Sequence, residues 1–206
     1  MHVVRQPAPA RSYPEGVALP DRSGRPARPT AAQLAAAHGQ TIPDLVGPGL
    51  RVLFAGINPS LYSAAVGYHF ARPGNRFWPV MHLSGFTGRQ LDPSEQHLLL
   101  DVGLGISNVV ARATARADEL HSAELRAGWA NLGALVARIQ PAWMAVLGVT
   151  AYRAATGRTA ALVGPQPDEV GGARVWVLPN PSGLNALWTT PKLTDSFRDL
   201  RLHAEV

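Results

Sequence analysis

Two kinds of hydrophobic segment alternate along the chain. Val52, Leu53 and Phe54 form a continuous apolar run that Gly56 breaks, which predicts a buried strand over Arg51–Ala55. Similar short runs predict strands at Leu104–Val109, Trp143–Leu147 and Arg174–Leu178. Between them the period changes. Leu125, Trp129, Leu132, Leu135, Val136 and Ile139 share one face of a helix that ends before Pro141. A helix is predicted near Asn75–Leu83, stopped by Gly85, and a short one from about Thr150 to Thr156. Asp92-Pro93-Ser94-Glu95 supplies an N-cap, a first-turn proline and a capping-box glutamate for a helix running through Leu98–Leu100. Leu193, Phe197 and Leu200 mark a C-terminal helix opened by Pro191. Strands separated by helices predict an α/β fold with three αβα layers around a central, mainly parallel sheet.

Residues 1–47 lack either pattern. They are rich in Pro, Ala and Arg, with Arg5, Arg11, Arg22, Arg25 and Arg28 outnumbering Glu15 and Asp21. Such a segment cannot build a core and is expected to be a largely disordered extension, apart from a helical turn or two around Ala31–Ala37. It reads either as a DNA-tethering arm or as an idle tail. Residues 48–206 form the expected single domain.

Composition narrows the chemistry. The 206 residues contain no Cys, which excludes disulfides, thiolate zinc sites and cysteine-ligated iron–sulfur clusters. No metal or cofactor is expected. The formal charge of +5 and pI near 10.4 point to an anionic partner. Lys192 is the single lysine, so Schiff-base chemistry would fall to it or to the terminal amine. No apolar run reaches the length of a membrane span, and the N-terminus lacks the apolar centre of a signal peptide; the expected location is the cytoplasm.

Three polar features fall at carboxyl ends of predicted strands, where open parallel sheets bind ligands. Gly56-Ile57-Asn58-Pro59-Ser60 follows the first, Asn108 ends the second, and Leu178-Pro179-Asn180-Pro181-Ser182-Gly183-Leu184 follows the fourth. Pro59 keeps Asn58 out of the helical region, so its amide is held in one direction. Asn58 either positions a reactant or simply closes a strand with an Asn-Pro turn.

The segments Gly56–Leu61 (GINPSL), Gly67–Phe70 (GYHF), Pro73–Trp78 (PGNRFW), Gly105–Val110 (GISNVV) and Leu178–Leu184 (LPNPSGL) together resemble the mismatch-specific uracil-DNA glycosylase and thymine-DNA glycosylase family. They occur in family order between about Arg51 and Leu200. The resemblance implies a uracil-DNA glycosylase-like fold and a monofunctional enzyme of base-excision repair. Such an enzyme flips uracil, and related mispaired or damaged bases, out of double-stranded DNA, preferably opposite guanine, and leaves an abasic site. It implies that Asn58 positions the water attacking the sugar, that Phe70 stacks on the base, and that the Ile57 and Phe70 amides hold base carbonyl oxygens. His69 would meet the base or leaving oxygen, against the plainer reading of an exposed neutral histidine. Asn108 would meet the pyrimidine edge.

In the loop carrying Asn180, Pro181 and Ser182, Gly183 and Leu184 would fill the gap left by the flipped base and face the orphan guanine. Asn185 begins the Asn185-Ala186-Leu187-Trp188 run that stands where bacterial relatives place an Arg. Asn75 reads as a helix cap, Arg76 as a phosphate contact or a surface charge, and Asp101 as a solvated helix end or an aid to the water. A monomer acting on DNA is expected. The alternatives are a non-catalytic module recognising damaged or mispaired DNA on the same fold, and a small-molecule nucleosidase or phosphate-binding enzyme, which the missing Gly-rich phosphate loop weakens.

Overall fold

The computed structural model describes residues 28–206. Its sheet has five strands in the order β2-β1-β3-β5-β4, where β1 is Val52–Gly56, β2 Leu104–Asn108, β3 Trp143–Leu147, β4 Gly164–Val170 and β5 Ala173–Leu178. The first three neighbouring pairs are parallel and β4 runs antiparallel to β5. The mainly parallel αβα architecture expected from the sequence is the one observed.

Successive side chains on a strand point to opposite faces, and both faces of this sheet are covered. Val52 and Phe54 enter one core, with Phe77 and Met81 of α3 (Phe77–Leu83) and Leu193, Phe197 and Leu200 of α6 (Thr190–Ala204). Phe54 meets the edges of Phe77 and Phe86 at 5.6 and 5.3 Å and stacks on Phe197 at 6.1 Å. Leu53 and Ala55 enter the other core, with Leu132 and Val136 of α4 (Ser122–Ile139) and Tyr152 of α5 (Val149–Thr156).

Two differences from the expected elements have local causes. The segment opened by Asp92 is a 3₁₀ helix over Pro93–Val102, with its capping box intact. Strand β4 was not expected because Gly164-Pro165-Gln166-Pro167 reads as a breaker cluster, yet prolines are tolerated on an edge strand.

The boundary expected at residue 47 falls inside packed chain. A Thr30–Gln33 capping box starts α1 (Ala31–Ala36), and Ala37 and Ile42 are buried against Ala64 and Ala65 of α2 (Leu61–Val66) and Ala113. Leu45 and Ile106 exchange backbone hydrogen bonds of 2.8 and 2.9 Å. The alanines within α1 are exposed, and the contact with α2 is made by Leu34 and by Ala37 just after the helix. Residues 1–27, where the rest of the expected extension lies, fall outside the described residues.

Candidate active site

The carboxyl ends of β1, β2 and β5 meet at a cleft of about 150 Å³. Gly56 makes the convergence possible. A Cβ there would lie 2.7 Å from Asn108 Oδ1 and 3.2 Å from the Phe70 ring, so only glycine lets these groups close over the end of β1.

Asn58 is held by contacts its own sequence neighbourhood does not reveal. Its Nδ2 donates to Thr114 Oγ1 at 2.7 Å and to the Arg112 carbonyl at 3.1 Å. A carbonyl can only accept, so the amide has one orientation. Thr114 Oγ1 spends its own proton on the Arg116 carbonyl at 2.7 Å and is left as an acceptor for Asn58. Both Nδ2 protons are thereby used. The remaining oxygen, Oδ1, has no hydrogen-bond partner among the described residues, and Asn58 lines the cleft. Arg112 is itself fixed by a bidentate pair with Glu124 at 2.6 and 2.9 Å, which holds that carboxyl down to about 2. Neither Thr114 nor Arg112 belongs to a recognisable motif. Burial of a threonine hydroxyl is their only mark, and it is visible only in the fold.

Phe70 has φ of 53°, a left-handed conformation that costs a side-chain-bearing residue about 1–2 kcal/mol. Its ring stacks on the buried Phe77 at 4.1 Å, and its N–H makes no hydrogen bond among the described residues. Strain, a braced ring and an unused donor at one cleft-lining residue are the marks of a binding position. Ile57 also lines the cleft and packs against Gly148, where a Cβ would come within 3.2 Å of it.

His69 departs from the exposed histidine expected as its plainer role: it is only 2% accessible. Its Nε2 lies 3.0 Å from the Pro43 carbonyl, which can only accept. The proton is therefore on Nε2, and Nδ1 accepts from Asn108 Nδ2 at 3.4 Å. Burial pushes the imidazole pKa down, against smaller raising effects of the Pro43 carbonyl and the Asp44 charge. A neutral histidine thus orients the Asn108 amide, with Asn108 Oδ1 over Gly56 and one Nδ2 proton left. Ser107 donates to Asp44 at 2.7 Å, tying the same N-terminal segment to β2.

The loop after β5 is rigid for reasons beyond its prolines. Asn180 Oδ1 accepts from the Ser182 N–H at 2.9 Å, and Asn185 Nδ2 donates to the Asn180 carbonyl at 3.0 Å. Arg76 corrects the expectation of a phosphate contact or surface charge. Its guanidinium donates to the carbonyls of Ser182 at 2.6 Å, Asn185 at 2.9 Å and Trp188, and its own N–H binds the Pro181 carbonyl at 3.0 Å. Gly183 lies on the Gly74 backbone, where a Cβ would come within 2.6 Å of the Gly74 oxygen. On this clamped loop Leu184 does not fold back: it is 76% exposed at the rim of the cleft.

Asn75 caps α3 by accepting from the Phe77 N–H at 2.9 Å. Asp101 precedes β2, at the end of the sheet opposite the cleft, and is exposed there, away from Asn58. Among the described residues no Asp, Glu or Lys lines the cleft. Among the described residues no group of His, Asp or Glu is spaced to hold a metal, and no helix is long and apolar enough to cross a membrane.

Comparison with known proteins bears on the fold and the family. The solution structure of a Methanosarcina acetivorans protein, provisionally described as a uracil DNA glycosylase, superposes with a TM-score of 0.54 at 15% identity, covering 82% of this chain and 99% of that one. At that identity the likeness concerns the fold. The family model described as the uracil DNA glycosylase superfamily matches residues 43–201, which contain β1 through most of α6 and every cleft residue discussed except Ile42. The chain belongs to the uracil DNA glycosylase superfamily.

Proposed function

We propose that the protein is a monofunctional DNA glycosylase that removes uracil from duplex DNA, preferably opposite guanine, and acts as a monomer. The observation that carries this reading is the Asn58 amide, whose nitrogen is fully engaged and whose oxygen is left as a fixed acceptor in a cleft that no carboxylate of the described residues lines. An amide oxygen can orient a water by accepting a hydrogen bond from it, but it removes no proton. That suffices only when the attacked carbon is already strongly electrophilic, as in an oxocarbenium-like sugar.

In the proposed reaction the C1′–N1 bond breaks with its electron pair passing to the base. The water held by Asn58 then bonds to C1′ and releases its proton to the leaving base or to solvent. The Phe70 N–H and the remaining Asn108 Nδ2 proton are donors for the charge growing on the base oxygens, a kind of stabilisation that preorganised donors supply well. Phe70 offers a stacking surface. Leu184 enters the space vacated by the flipped nucleotide, and mispairs cost least to open, which favours a U·G pair over U·A.

A U·G duplex incubated with the protein should yield strand scission only after alkali, and borohydride should trap no covalent product, since Lys192 lies outside the cleft. Uncut DNA after alkali would leave the alternative of a non-catalytic mismatch-binding module. Trapping at Lys192 would defeat the monofunctional reading.

A further inference from the structure

A second cavity, about 400 Å³, opens beside the base-sized cleft and shares Ser60, Arg72 and Ala115 with it. Its walls come from three places: Arg28, Pro29 and Leu34 from the N-terminal segment, Tyr62 from α2, and Arg72 and Pro73 from the loop after Phe70. Leu34 of α1 and Leu61 and Tyr62 of α2 form its sides beside the small-residue contact of Ala37 with Ala64 and Ala65. Its charge is unusual for this end of the molecule. Arg116 is occupied by Asp118 and Arg112 by Glu124, whereas Arg28 and Arg72 are exposed and their guanidinium groups make no ion pair or hydrogen bond among the described residues.

Two uncompensated guanidinium groups over an apolar, aromatic-bearing floor match a sugar–phosphate chain: anionic oxygens for the cations, deoxyribose for the apolar surface. Continuity with the cleft fixes which part of the chain. From this juxtaposition we infer that the groove binds the backbone of the damaged strand immediately to one side of the flipped nucleotide. Arg28 and Arg72 contact its phosphates and Tyr62 packs on its sugar. The inference rests on the glycosylase reading above. It gives the N-terminal segment a part in substrate binding through Arg28.

The test measures binding of the full chain to duplexes carrying a non-cleavable 2′-fluoro-deoxyuridine opposite guanine, across a salt series, with melting curves confirming that each variant is folded. Arg28→Gln and Arg72→Gln should each weaken binding about three- to tenfold at low salt and flatten the slope of log Kd against log salt by about one unit. Tyr62→Ala should weaken binding with the slope unchanged, because it removes packing rather than charge.

Duplexes whose damaged strand ends directly 5′ or directly 3′ of the target then locate the contact. The Arg28→Gln penalty should vanish for one truncation and persist for the other. Unchanged slopes in both arginine variants, or a penalty that survives both truncations, would overturn the groove assignment. If the slopes fall as expected but the parent does not distinguish the analogue from undamaged DNA, the groove stands as a DNA-binding surface and the glycosylase reading fails.

Discussion

The carbonyl oxygen of Pro43, 3.0 Å from His69 Nε2, decides which nitrogen of that histidine carries its proton. Everything downstream follows from hydrogen-bond polarity. Nδ1 must accept, Asn108 must present its nitrogen to it, and Asn108 Oδ1 must face the space over Gly56. Protonating His69 would set an N–H against an N–H and force the amide to turn.

Burial lowers the His69 pKa from its ordinary value near 6.5, so the neutral form persists somewhat into acid. The excision rate on a U·G duplex should be level above about pH 6.5 and fall only once the pH drops through the folded pKa. The linkage to stability has the same direction. Between the folded and unfolded pKa values the unfolded chain binds the extra proton, so this contribution is complete above about 6.5 and declines below it. A single-turnover pH profile checks the first point, and a rate that climbs on acidification below 6 would refute it. Asp44 is the charged group whose influence opposes the shift, so Asp44→Asn should move the acid limb further down.

Asn58→Ala should lower the single-turnover rate by about two to three orders of magnitude, the scale of losing one preorganised group, while duplex affinity is kept. Thr114→Val tests the support separately. It leaves Asn58 in place but removes the acceptor 2.7 Å from its nitrogen, so the amide gains freedom, and a loss of about tenfold in rate is expected with about 1 kcal/mol in stability. Equal rates for Thr114→Val and the parent would show that Asn58 needs no such anchoring.

At 76% exposure, Leu184 contributes little to folding, and Leu184→Ala should change stability by no more than about 0.5 kcal/mol. Excision from duplex should nevertheless drop far more than excision from single strands, where there is no gap to fill. Arg76→Ala should reproduce that selectivity by freeing the loop carbonyls of Ser182 and Asn185, and it should also lower the melting temperature. Matching losses on both substrates would assign Leu184 a role other than filling the helix.

Removing residues 1–47 should be severe. The deletion takes away the buried Ile42, the Leu45–Ile106 bonds, the Pro43 carbonyl on His69 and the Asp44 partner of Ser107. A loss of about 3 kcal/mol or more is expected from the apolar part alone. An unfolding curve identical to that of the full chain would show that this segment adds nothing to the domain.

What the sequence discloses and what it hides divide along the range of the interactions. The Asn58-Pro59 and Asn180-Pro181 turns, the strands before them and the parallel sheet are local patterns, and they place three loops at one end of the sheet. The partners that give those loops their chemistry are distant. Pro43 meets His69, Asn58 meets Arg112 and Thr114, and Arg76 meets Ser182, and none of these pairs has a periodicity or a spacing to announce it. Strand β4 escaped for the opposite reason: its prolines carry a local signal that argues against the structure it adopts.

Those prolines have one more consequence. A sheet whose outer strands present free N–H and C=O groups is a template on which another chain can pair, and this sheet ends in β2 on one side and β4 on the other. Pro165 and Pro167 leave β4 short of donors along its rim, with Asp168 and Glu169 following them, while Leu45 pairs with Ile106 on the rim of β2. Both borders of the sheet are thus obstructed by built-in means, which guards the molecule against strand-to-strand aggregation.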